Sequence, residues 1–197
     1  MPHSRKLNIT FNAPVVLGFT ILCAAALIAG YLTGGWTTNT FFSVYRSSFA
    51  SPLTWLRLIG HIFGHAGLDH FMGNIMLILI VGPLLEEKYG SFKIALVILI
   101  TALITGLVNM LFFPYTQLLG ASGVVFAFIL LSSFTSIREG EIPLTFLLVA
   151  FLYLGQQIYE GLFLSDNISN LTHILGGSVG AILGTTLRPT HPYGKRN

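Results

Sequence analysis

Charge is scarce in this sequence. Only 9% of its 197 residues are Asp, Glu, Lys or Arg, against about 25% in an ordinary soluble domain. So few charges cannot clothe a water-facing surface, and a soluble globular protein is excluded. Cysteine is nearly missing too: Cys23 is the single one. It lies in an apolar run, so no internal disulfide is available and redox compartment is not readable. The net charge of +3 and a pI of about 9.2 come from scattered residues. No basic patch is dense enough for nucleic acid. Low-complexity tracts and long linkers are lacking, which points to one domain over residues 1–197.

What is abundant is apolar. Hydrophobic residues make up 53% and mean hydropathy is +0.78. About 20 mainly apolar residues are needed to cross hydrocarbon as a helix. Six such stretches stand out, at about 14–32, 68–87, 92–112, 120–137, 143–163 and 169–187. Polar runs at 86–91, 138–143 and 165–170 separate the later ones. The first follows Arg5 and Lys6 and exceeds the roughly 7–15 apolar residues of a signal peptide, so it reads as a retained span. The expected fold class is an all-α membrane protein, a bundle of six transmembrane helices.

Six crossings return the chain to its starting side. That side receives Arg5, Lys6, Lys88, Lys93, Arg138, Arg188, Lys195 and Arg196, and the other only Arg46 and Arg57. Lys and Arg collect on the cytoplasmic side, so both termini are expected there. Ser122 and His173 then fall at similar depth, each near the outer end of an inward-running span. Residues 33–67 hold Trp36, Trp55, Phe41, Phe42 and Phe63 beside Arg57. That is too aromatic for a solvated linker, and an interfacial loop partly embedded in the outer leaflet is expected.

The polar residues among these spans are few enough to weigh singly. Ser122 lies between Gly120 and Gly123. A serine becomes a nucleophile when a base takes its proton, and histidine is the usual base near neutrality. His173 is the only histidine in the last four spans, and Gly176, Gly180 and Gly184 follow at helical spacing. Such a stripe is ordinary helix packing, and here that packing also brings a neighbour close to the imidazole. His70 and Asn74, four apart, share a helix face and can offer N–H groups to an oxyanion; so can the backbone N–H of Ser122 at a helix start. Phe126, one turn beyond Ser122, can stack on the imidazole or serve simply as core. Taken alone, each polar residue reads as satisfied structure. Together, at one depth, Ser122, His173, His70 and Asn74 read as a catalytic group.

Rival chemistries find less support. The HExxH pattern of a zinc protease is missing, although His61 and His65 share a helical spacing that leaves a weak metal site open. The two aspartates, Asp69 and Asp166, sit near span edges, which does not suit an aspartic protease. Val124 occupies the position where a GxSxG elbow needs glycine. No cofactor and no metal is expected. An inactive relative that only binds membrane helices would lack the serine or the histidine, and a small transporter would tolerate Ser122→Ala.

GlyAlaSerGly at 120–123, His65-x4-His70-x3-Asn74, His173 with Gly176 and Gly180, Gly82-x3-Glu86 and Arg57 in the first loop together resemble the rhomboid family of intramembrane serine proteases. The resemblance runs from about Trp55 to Leu187. It implies Ser122 as nucleophile, His173 as base, and His70 and Asn74 in the oxyanion site. Gly120, Gly123, Phe126, Gly176 and Gly180 have supporting places. It also implies a six-helix core in minimal form, with no extra cytosolic domain and a wet cavity opening outward. The expected partners are transmembrane protein substrates within the lipid bilayer, cut in or near a membrane helix and often after a small residue. Two positions depart from the family's usual pattern. Leu56 precedes Arg57 where tryptophan is common, and Phe126 stands where tyrosine often does. A compact chain of this kind fits a prokaryotic plasma membrane, and the fifth span with its following loop is the expected gate.

Overall fold

The computed structural model describes residues 11–137, five positions between 144 and 155, and residues 167–190. All its long elements are helices: α1 (Pro14–Leu32), α2 (Trp36–Phe41), α3 (Pro52–Gly60), a 3-10 turn at His61–Phe63, α4 (Leu68–Tyr89), α5 (Ser91–Phe112), α6 (Ser122–Ile137) and α7 (Asn167–Thr186). Among the described residues α1, α4 and α5 are long and apolar enough to cross a membrane. The expected first span coincides with α1. The second extends two residues further than expected, and α6 starts at Ser122 instead of 120. The expected fifth span, 143–163, lies outside the described residues apart from those isolated positions.

Local chemistry sets the ends. Pro14 opens α1 and Pro52 opens α3; a proline there gives up no helical hydrogen bond. After α1, Gly34 and Gly35 take φ of +59° and +88°, a left-handed pair that turns the chain back within two residues. Gly90, at φ +84°, makes the sharp joint between α4 and α5.

Glu86 does more than mark the end of a span. It is only 3% exposed, and its carboxylate accepts the N–H groups of Val15 (3.0 Å) and Val16 (2.9 Å) and the hydroxyl of Ser91 (2.7 Å). The first N–H groups of α1 have no partner within that helix, and a carboxylate at the positive end of a helix dipole is well placed. One turn earlier, Gly82 lets α4 close on Val16 and Phe128, since a Cβ there would meet the valine methyl at 2.8 Å and the ring at 3.2 Å. Gly82 and Glu86 together therefore bind α1, α4 and α6.

The segment between α1 and α4 is inside out. In α3, Thr54 and Arg57 are buried, while Trp55 and Leu56 are half exposed. Arg57 donates from Nε to the Thr40 carbonyl at 2.7 Å and lies 4.4 Å over the Tyr45 ring. A single antiparallel bridge, Val44 with Leu118, ties this segment to the α5–α6 connection. Asn109 Nδ2 reinforces it by donating to the Val44 carbonyl at 3.1 Å.

Candidate active site

The site begins where α6 begins. The Gly120 N–H donates to the His61 carbonyl at 2.9 Å, and Gly120 has φ +126°. Only glycine holds that conformation readily. A Cβ would also stand 2.7 Å from His70 Nε2, so the missing side chain makes room for the imidazole. Ser122 follows as the first residue of α6, where helix N–H groups lack internal acceptors.

α7 meets α6 through bare backbone. A Cβ on Gly176 would lie 2.2 Å from the Gly123 carbonyl oxygen, and one on Gly180 would lie 2.1 Å from that of Ala127. The four-residue glycine spacing read from the sequence is thus a helix–helix seam. Thr172, next to His173, packs its methyl toward Gly123. The seam brings His173 to the Phe126 ring, with centroids 4.4 Å apart at 44°.

α4 supplies the opposite wall. The Ala66 N–H points at His70 Nδ1 across 3.5 Å, which makes Nδ1 the acceptor and puts the ring proton on Nε2. Asn74 is 7% exposed, and its Nδ2 has no hydrogen-bond partner among the described residues. Both nitrogens flank Gly120. His70, Asn74, Ser122, Phe126 and His173 line one cavity of about 570 Å³. The cavity lining thus draws on α4, α6 and α7 and includes two N–H-bearing side chains besides the serine.

The other histidines part company. His61, 1% exposed, turns into the bundle, with Nδ1 at 3.2 Å from the Arg57 carbonyl and Nε2 at 3.2 Å from Thr105 Oγ1. His65 sets Nδ1 against the Phe63 carbonyl at 3.2 Å and its edge against the His70 ring at 5.1 Å. Burial lowers the pKa of each to about 4, with His70 a second cause for His65. Both rings stay neutral at pH 7. Among the described residues no three His, Cys, Asp or Glu side chains converge on a metal-sized point, because His61 faces α5 and not its neighbours.

α5 also carries a polar stripe that the sequence motifs do not include. Thr101, Thr105 and Asn109 are all buried and recur every four residues. Thr105 and Asn109 hold His61 and Val44 respectively, so the stripe anchors the loop that carries Gly120. Its spacing in an otherwise apolar span was the available signal. Asp69, set aside as a span-edge residue, also lines the cavity.

Comparison with known proteins shows the family. The family profile described as Rhomboid domain matches residues 52–190. Rhomboid-related protein 2 of Mus musculus is 30% identical over 158 residues, covering 70% of this chain and 52% of the relative. Rhomboid-related protein 1 of Caenorhabditis elegans is 31% identical over 137 residues, 65% of this chain and 38% of the relative. Rhomboid protease GlpG of Yersinia pestis is 26% identical over 174 residues, 86% of this chain and 61% of the relative. The chain spans about half the length of the relatives it matches. With a profile match over most of its length, this chain belongs to the rhomboid family.

Proposed function

We propose that this chain is an intramembrane serine endopeptidase that cuts membrane-anchored proteins within or beside a transmembrane segment. The observation that carries the proposal is the shared cavity, lined by Ser122 and His173 on two helices in backbone contact and by an Asn74 amide without a partner among the described residues. In this reading His173 takes the Ser122 proton as Oγ attacks the substrate carbonyl carbon. The oxyanion receives N–H groups from His70 Nε2 and Asn74 Nδ2. The C–N bond breaks, and the leaving nitrogen takes the proton from His173. Water then adds to the acyl-serine, passing its proton to His173, and the Oγ–carbonyl bond breaks with return of that proton to Ser122. Phe126 holds the imidazole by ring contact, and Gly120, Gly123, Gly176 and Gly180 set the approach of the walls. A helical substrate has its amides bonded internally, so it has to unwind locally to enter.

The same reading places residues 1–197 in one domain of six spans, both termini cytoplasmic, in a prokaryotic plasma membrane, with the cavity opening outward. The apolar outer face of α3 then rests in the outer leaflet. Cleavage of a transmembrane substrate in liposomes by the wild type, but not by Ser122→Ala or His173→Ala, is the expected result. Activity surviving either change refutes the dyad.

A further inference from the structure

We propose that Asp69 forms a cation-accepting subsite in the catalytic cavity, selecting substrates that carry Lys or Arg beside the scissile bond. The inference rests on the proteolytic reading and goes beyond it by naming a specificity residue. Asp69, His70, Gly73, Asn74 and Leu77 all line the cavity. Their spacing puts Asp69, Gly73 and Leu77 on one stripe of α4, successive turns apart. Asp69 is exposed, and no Glu, Lys or Arg joins it in the lining among the described residues. Its carboxylate makes no hydrogen bond or ion pair with any of them. A carboxylate in the first turn of a helix favours the helix dipole, but a stabilising role alone does not require it to face the cavity.

Gly73 extends the argument. A Cβ at Gly73 would meet nothing within 4 Å among the described residues, so open space lies one turn from the carboxylate. A long basic side chain can run over Gly73, leave its methylenes against Leu77, and bring its charge to Asp69. The subsite also answers an electrostatic problem. Attack by Ser122 creates an anion beside His70, the immediate neighbour of a carboxylate. A substrate cation between them offsets the repulsion; a substrate carboxylate adds to it.

The test is a set of transmembrane substrates with Lys, Gln or Glu stepped through the positions flanking the cleavage site. Initial cleavage rates are measured with wild type, Asp69→Asn, Asp69→Lys and Gly73→Leu. Binding of the same set is measured with Ser122→Ala. At one position the wild type is expected to cut the Lys substrate about tenfold faster than the Glu substrate at low salt. Asp69→Asn should flatten that ratio, Asp69→Lys invert it, and Gly73→Leu reduce it. Added salt should shrink it. An unchanged ratio in Asp69→Asn, or no charge preference at any position in wild type, overturns the subsite. If no substrate is cut but Ser122→Ala still binds the Lys form better, the subsite stands and the proteolytic reading fails.

Discussion

Gly176→Ala adds a single methyl where α7 meets α6. The new Cβ would stand 2.2 Å from the Gly123 carbonyl oxygen and 2.8 Å from its carbon, whereas ordinary contact begins near 3.4 Å. Neither group is the end of a flexible side chain, so the helices must part by roughly 1 Å, an overpacking that costs about 1–3 kcal/mol. His173 rides on the displaced helix, three residues before the contact. A misplacement of about 1 Å at a reacting group can lower a rate by about a hundredfold. Cleavage by Gly176→Ala should therefore fall about a hundredfold at a temperature where thermal scans show the variant folded. Gly18→Ala is the control, because its Cβ would meet nothing within 4 Å among the described residues; activity there should be unchanged. A Gly176→Ala variant cutting within threefold of wild type would refute the claim that this seam positions the base.

Three more expectations follow from the same contacts. Glu86→Ala strands the Val15 and Val16 N–H groups at the start of α1 and should destabilise the protein by about 2–5 kcal/mol in denaturation from detergent micelles; a loss under about 0.5 kcal/mol contradicts the cap. Gly120→Ala meets both a left-handed backbone and His70 Nε2, so cleavage should fall sharply, while normal activity would mean the imidazole is not held there. Burial holds His61 and His65 near pKa 4, below an unfolded value of about 6.5. The unfolded chain therefore binds more protons between those values. The thermal midpoint should fall as pH drops from 6.5 toward 4, less steeply in His61→Asn, and a flat profile counts against buried neutral rings.

Much of this was legible residue by residue. The ends of α1 are written in Pro14 and in the glycine pair after Leu32. The facing of His70 and Asn74 follows from their four-residue spacing, and the Gly176–Gly180 seam from the same arithmetic. What failed to show were contacts between distant parts of the chain. Glu86 read as punctuation between two spans, because nothing local says that its carboxylate reaches the start of a helix 70 residues earlier. His61 looked like a companion to His65, yet the turn at His61–Phe63 points it into α5, toward a threonine that periodicity alone cannot pair with it. Asp69 stands near the edge of its span in the sequence, and only the packing of α4 shows that it lines the cavity.

The central claim is that His173 activates Ser122. A fluorophosphonate reacts with a serine hydroxyl only when a base activates it, so labelling reads the pair without any substrate. Intact-mass analysis should show one adduct per chain on wild type, mapped to Ser122, and none on Ser122→Ala or on folded His173→Ala. Equal labelling of His173→Ala, or an adduct on another residue, would contradict the account.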